Sequence, residues 1–526
     1  MNMITIHRYF LACLLITSPT LFAANAEPFP TNPAERQRIE QALPAKAPAQ
    51  PVKPRKLLIF DANVGYGGHP SALHANYAFT LMGQRTGAFQ TVVSRDPAVF
   101  QPQSLKQFDA VFFNNNVGNL FEDRELRQSL VEFVYSGGGL MGVHGTTVAF
   151  TKWPGAIEDW PEFGIMIGAR GANHRDSNEP VVIKLDDPTN PINQCFAGRG
   201  FDYRDEFFRA QDPYSRDRLR ILFSIDNAKT DATQGGPARG NAMRADKDYA
   251  LAWVRNYGRG RVFYCTIAHN PSVFWDPLML QFYLAATQFA LGDLHAPTLP
   301  SNRLTPATLA QERLGWRLGL QSPASAQCTL FDSIDQAAHL RLSYLDAHSS
   351  QKVSKDLPKN FAPGLSPTEL QQIRLKLDSA GVRPLTYAVD SFPTDESACR
   401  QIFVFARKMG IETLIAHSSP NVLPLLDRLC AEYDLTLALE TGNPDDVIKL
   451  CQSRSPRIGA AADPTYWLAH DIDPLQAIRT LNSRLFALRL PSPTPLIESL
   501  LTEIHRLNLH PPLFTRTPPP RPPPPP

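Results

Sequence analysis

The sequence predicts two α/β domains in one chain, an open parallel sheet followed by a compact (β/α)8 barrel. Three observations carry this. Between Leu57 and Leu291 short apolar runs alternate with helical patterns, the signature of parallel βαβ units. From Gly315 onward a strand–helix cadence repeats through the rest of the chain. A proline-punctuated stretch through Pro297, Pro300 and Pro306 separates the two textures, and 526 residues are too many for one core at roughly 100–250 residues per domain.

In the first region the strands are expected at Leu57–Phe60, Thr91–Ser94, Ala110–Asn114 and Leu140–His144, and later at Val181–Leu185, Leu219–Ile225 and Arg261–Thr266. Leu126, Leu130, Phe133 and Val134 recur at helical spacing before Gly137-Gly138-Gly139, which ends that helix, and Pro277–Leu291 closes the domain as another helix. In the second region eight runs follow one another: Arg317–Gln321, Leu342–Ala347, Pro384–Val389, Thr413–His417, Thr436–Glu440, Ile458–Asp463, Leu485–Leu490 and Leu513–Thr515. Eight such units in about 200 residues imply a small closed barrel.

The first residues resemble a Sec-type leader: a weakly basic start at His7 and Arg8, an apolar stretch Phe10–Phe22 and a small-residue site at Ala24-Asn25-Ala26. The expected organisation is then a leader over 1–26, a Pro/Ala-rich linker over 27–55, the sheet domain over 56–294, a second linker over 295–314, the barrel over 315–517 and a polyproline tail over 518–526. A periplasmic or secreted location follows, with no stable membrane span after cleavage. The 52 Lys and Arg nearly cancel the 50 Asp and Glu without a long single-sign run, which excludes nucleic acid as a partner. Six cysteines beyond the leader show no C-x-x-C spacing, so neither a zinc ribbon nor a redox pair is expected, and most should be buried thiols.

Ligands of open α/β sheets bind at the carboxyl ends of the strands, and those positions are polar here. Gly65-Tyr66-Gly67-Gly68-His69-Pro70 follows the first strand, and His144-Gly145-Thr146-Thr147 follows the fourth. Farther on come Asn173-His174, Asp202-Tyr203-Arg204-Asp205-Glu206 and Ala268-His269-Asn270. Imidazoles and carboxylates suit acid–base work or metal ligation, so His144, Glu206, Asp205 and His269 are the catalytic candidates. A divalent metal is the cofactor this set could hold, through His144, His174, His269 and Glu206. His69, Tyr203 and His174 are the candidates for substrate contact. Each has a plainer reading: a histidine at a strand end is often hydrogen-bonded scaffolding, Asp205 could orient its loop as a cap, His69 could brace the turn before Pro70, and Tyr203 and Trp153 could pack rather than stack on a sugar.

Read in order, the His-Pro glycine loop, Ser136-Gly-Gly-Gly-Leu-Met-Gly-Val-His144, the His174 segment, Asp205-Glu206 and Tyr257-Gly-Arg-Gly-Arg-Val-Phe-Tyr264 with His269 resemble the ThuA-like (trehalose utilisation) family over about residues 56–293. The resemblance implies a flavodoxin-like sheet of the class I glutamine amidotransferase type. His144 stands where that elbow would carry its cysteine, so glutaminase chemistry is not expected. The second region, through Phe405-Ala-Arg-Lys-Met-Gly-Ile-Glu-Thr413 and Arg457-Ile-Gly-Ala-Ala-Ala-Asp463, resembles the sugar-phosphate isomerase/epimerase barrels related to xylose isomerase. Those barrels hold a divalent metal, but here His417, Tyr466, Arg489 and Arg516 replace expected ligands while Asp463 survives. A degenerate barrel is therefore expected, with a remodelled site at His417, Glu440 and Asp463 as the alternative. Both resemblances imply a carbohydrate or glycoside ligand. The chemistry stays open between a lyase, hydrolase or isomerase acting on a glycoside or keto-sugar and a non-catalytic carbohydrate-binding or scaffold protein.

Overall fold

The computed structural model describes residues 27–155, 157–230, 244–322, 328–440, 442–491 and 494–516; the leader and polyproline tail lie outside them. The first domain is built on nine strands: β1 (Lys56–Phe60), β2 (Gln90–Ser94), β3 (Ala110–Asn114), β4 (Gly139–Val143), β5 (Glu179–Leu185), β6 (Phe201–Asp205), β7 (Arg220–Ile225), β8 (Ala250–Tyr257) and β9 (Gly260–Cys265). Their order across the sheet is β6-β5-β7-β8-β9-β4-β3-β1-β2.

The five strands from β9 to β2 are parallel, as the alternation of runs and helices predicts. The other four extend the sheet with antiparallel pairings. The alternation of runs and helices does not show this half: β8 turns into β9 through Gly258 and Arg259, too short a connection for a parallel crossover. Along β1 the side chains alternate between the two faces. Leu57 and Ile59 join one apolar layer with Phe79 and Phe112, while Leu58 and Phe60 join the other with Phe113 and Phe163. Burial on both faces is why these strands read as unbroken apolar runs.

The stretch expected as an extended linker is partly folded. Helix α1 (Pro33–Ala42) starts at Asn32, whose side chain accepts from the Ala34 N–H, and it buries Ile39 completely in the first layer. Asn76 ties the preceding Pro28 carbonyl to the domain at 2.9 Å. With Ile39 and Ala42 as its only buried positions, the helix has too sparse an apolar pattern to be recognised in sequence. The second linker likewise contains a helix, α2 (Pro306–Leu314), capped by Thr305 and ended by Gly315 at φ +67°.

The second domain is a closed barrel of eight parallel strands, from Leu318–Gln321 to Leu513–Arg516. It meets the sheet domain through the helices Pro367–Ala380 and Glu396–Lys408 and the turn at Asp434, which precede three of its strands. Asp378 pairs with Arg255, Lys408 with Glu132 at 3.0 Å and Asp434 with Arg259 at 2.9 Å, and Gln371 donates to Glu162 at 2.7 Å. On the first domain, Tyr135–Gly138 and Gly258–Arg259 likewise precede β4 and β9. The two domains therefore join by the amino-terminal ends of their strands, leaving both carboxyl rims turned away from the junction. The six described cysteines are free thiols, five of them buried. No described helix is long and apolar enough to cross a membrane.

A candidate metal centre at the rim of the first sheet

Four loops at the carboxyl ends of the strands bring distant histidines together. His69 follows β1 in a loop whose turns need Gly65 at φ +69° and Gly68 at φ +92°. His144 immediately follows β4 with φ +42°, a left-handed conformation unusual for a side chain of its size, and it is fully buried. His269 follows β9. Its backbone N–H and that of Asn270 donate to the two oxygens of Asp205, at 3.0 and 2.9 Å. Glu206 follows β6 and reaches the centre: one carboxylate oxygen lies 3.3 Å from Nε2 of His144, and the other lies 3.7 Å from Nε2 of His269. The candidate ligand atoms of His69, His144, Glu206 and His269 all lie within 4.8 Å of one another.

The outer nitrogens decide how these rings face the centre. Nδ1 of His69 meets the Asn115 carbonyl at 3.2 Å, Nδ1 of His144 the Thr266 carbonyl at 3.0 Å, and Nδ1 of His269 the Asn270 side-chain oxygen at 3.2 Å. Each contact is an acceptor, so each Nδ1 carries the hydrogen and Nε2 presents a lone pair. Burial, reinforced by the neighbouring histidines, pushes His69 down to about 2, and burial also lowers His144. Burial opposes ionisation of Glu206, but its contacts with His144, His174 and His269 prevail and hold it below the ordinary carboxylate range. The result is three imidazole Nε2 lone pairs and one carboxylate converging on a common point. A divalent cation of the zinc, iron or manganese class fits this donor set, because it gives those lone pairs a common partner.

The expected residues are not all placed as expected. His144, His269 and Glu206 converge as the metal reading requires. His69, expected to contact substrate or brace its turn, completes the cluster instead. His174, expected as a ligand, stands at its margin, with a half-exposed ring whose Nδ1 is 3.2 Å from the outer oxygen of Glu206. Asp205 does not reach the centre, since its oxygens are spent on the His269 loop; burial pushes it up to about 7 even with those amides. It is a positioning residue. Tyr203 is not a site residue either: its ring packs against the first apolar layer beside Phe201, with Asp276 next to its hydroxyl.

Sequence reasoning did not single out Tyr66 or Phe208. The Tyr66 ring lies 5.0 Å from that of His69 and 5.4 Å from the partly exposed Trp153, and burial together with the charge of Glu206 raises its hydroxyl pKa. Phe208 packs against both His144 and His174. Tyr66 lay in view within the glycine loop, but only that loop's conformation turns it toward the histidines.

The barrel rim is different. Arg489 reaches Glu440 at 2.5 Å and Asp463 at 3.5 Å, and its charge also acts on the buried Asp346. His417 is largely exposed, 3.7 Å from Glu440. A guanidinium thus sits among the carboxylates that a metal would need, and these residues do not fit a divalent ion. This disfavours the remodelled site at His417, Glu440 and Asp463.

Residues 56–290 match the ThuA family, described as trehalose utilisation. Among solved structures, the chain is 16% identical to a putative ThuA-like protein from Bacteroides uniformis, covering 45% of this chain and 91% of that one at a TM-score of 0.36. It is 18% identical to a putative ThuA-like protein from Parabacteroides merdae, covering 46% and 92% at a TM-score of 0.33. A sugar phosphate isomerase/epimerase from Parabacteroides distasonis is 9% identical, covering 38% and 86% at a TM-score of 0.31. No curated protein matches the chain. The ThuA family model thus covers the first domain, and a closed eight-stranded barrel follows it in the same chain.

Proposed function

We propose that the ThuA domain of this chain is a carbohydrate-processing enzyme centre that holds one divalent ion through His69, His144, His269 and Glu206 and carries out acid–base chemistry on a glycoside or keto-sugar. The observation that carries this reading is the convergence of three inward Nε2 atoms and one carboxylate within 4.8 Å. An ion of this class, when bound, polarises a carbonyl or hydroxyl oxygen.

The protein's own groups supply the remainder. Glu206 is ionised and touches three imidazoles. His174, half-exposed at its outer oxygen, is placed to exchange a proton between the centre and solvent. Trp153 and Tyr66 form an edge-to-face aromatic pair beside His69, and the exposed part of Trp153 offers an apolar face to a sugar ring. The elbow position holds His144 rather than a serine or cysteine, and its Nε2 faces Glu206, so acyl transfer through a covalent intermediate has no nucleophile there. Proton abstraction beside an oxidised carbon, followed by elimination or isomerisation, suits this arrangement better. The carbohydrate-related likenesses of both domains support the substrate class. Export, expected from residues 1–26, belongs to the same proposal.

The test is turnover of a panel of glycosides and keto-sugars by the full chain, followed by NMR. The proposal expects product formation that is lost on chelation, restored by added metal and abolished in Glu206→Gln. Undiminished turnover in the chelated protein or in that variant would overturn it.

A further inference from the structure

The opposite end of the same strands carries a second concentration of charge. A cleft of about 880 Å³ opens between the sheet domain and the barrel where β4 and β9 begin, and seven cationic side chains line it against three carboxylates. Strand β9 has six residues, so at about 3.3 Å per residue the cleft lies roughly 20 Å from His269.

The three carboxylates are already engaged. Asp109 pairs with Lys53 at 2.8 Å and Arg55 at 3.1 Å, Asp434 with Arg259 at 2.9 Å and Arg457 at 3.1 Å, and Glu132 with Lys408 at 3.0 Å. Arg407, from the barrel side, reaches Asp434 only at 3.9 Å. Arg261, from the first residues of β9, has no carboxylate within 4.0 Å among the described residues; its Nε donates to the Ala290 carbonyl at 3.0 Å. Burial and then the adjacent Arg55 and Arg259 push Arg261 down to about 10, and burial with Arg259 does the same to Arg407. Two arginines on opposite walls are thus crowded by like charge in a cleft wide enough for a small anion.

We propose that this cleft binds a multiply charged oxyanion of the phosphate class, free or as a phosphate ester, held between Arg261 and Arg259 of the sheet domain and Arg407 of the barrel. Arginine suits this ligand because its planar fork donates two hydrogen bonds to one tetrahedral group. Spanning both domains, the anion would tighten their junction.

The experiment is thermal unfolding of the full chain in potassium phosphate, in glucose 6-phosphate and in potassium chloride at matched ionic strength. Phosphate or its ester should raise the unfolding temperature by roughly 3 °C or more over chloride, as expected for a native-state ligand near saturation. The larger of the two shifts identifies the ester or the free ion as the better ligand. Arg261→Gln and Arg407→Gln, one on each wall, should each abolish the difference, while Arg261→Lys should keep part of it. Equal shifts in phosphate and chloride, or a full phosphate shift in both glutamine variants, would overturn the proposal. Should one variant fail to fold, the other decides on its own.

Discussion

Gly145→Ala perturbs the proposed metal centre without removing any ligand. Gly145 follows His144 in the tight turn after β4, and its φ is not left-handed, so alanine meets no backbone penalty there. The cost is steric. A Cβ at this position would lie 2.7 Å from Cε1 of His69 and 3.1 Å from the Asn115 carbonyl oxygen. Ordinary contact begins about 0.7 Å farther out, so the His69 ring must retreat by several tenths of an ångström, and the carbonyl that orients its Nδ1 is pressed as well. Overpacking of this kind costs about 1–3 kcal/mol, or about 2–4 °C of unfolding temperature per kcal/mol in a domain of this size. Misorienting a ligand and its support should weaken metal binding roughly 10- to 100-fold. Titration calorimetry with zinc on the full chain measures this directly. Gly67→Ala in the neighbouring loop, where a Cβ meets nothing within 4 Å, is the control and should bind as the unchanged protein does. Wild-type zinc affinity in Gly145→Ala would refute the placement of His69 among the ligands.

Asp205→Asn leaves all four ligands in place but turns an amide donor toward one of the two backbone N–H groups that Asp205 now accepts; it should cost about 1–3 kcal/mol in thermal unfolding and weaken metal binding less than Glu206→Gln does. Glu412 bridges Arg317 at 2.8 Å and Arg383 at 3.0 Å. Although burial opposes ionisation, these arginines hold its pKa at about 2 against 4.5 unperturbed. A depressed folded-state value gives stability that is complete above pH 4.5 and is lost as the pH falls from there toward 2. With the side chain a quarter exposed, the loss is about 2 kcal/mol, and Glu412→Gln should remove that part of the pH dependence in acid unfolding curves. Arg489→Ala leaves Glu440, Asp463 and Asp346 without their shared cation; it should destabilise the barrel by about 2–4 kcal/mol, and millimolar magnesium or manganese should reverse part of the loss in thermal melts.

What the sequence revealed follows from what burial does to composition. Strands covered on both faces are continuous apolar runs, so Ala110–Asn114 and Leu485–Leu490 are readable to the residue, and the helix Pro277–Leu291 is framed by a proline at its start and Gly292 after its end. Strand β8 was not foreseen although Ala250–Val254 is apolar, because it pairs antiparallel with its neighbours and so breaks the strand–helix cadence. Helix α1 was hidden by its two buried positions among charged ones. At the site, His144 and Glu206 each directly follow a strand and His269 lies shortly past the end of another, so the strand ends fix where they point. His69 lies well past its strand in a glycine loop, and His174 follows the short strand Arg170–Asn173 outside the nine-stranded sheet, so position along the chain does not show which of them reaches the centre. Tyr203 shows the limit of reading a polar string as one surface: two residues along the same strand, Asp205 turns to a backbone loop while Tyr203 packs into the core.

The account stands most directly on the metal content of the intact protein. Full chain incubated with zinc, manganese and ferrous iron, then desalted, should carry one divalent ion per chain by plasma mass spectrometry, and His144→Ala prepared in parallel should carry none. A metal-free wild-type chain, or equal metal in the variant, would contradict the assignment of His69, His144, His269 and Glu206 as one ligand set.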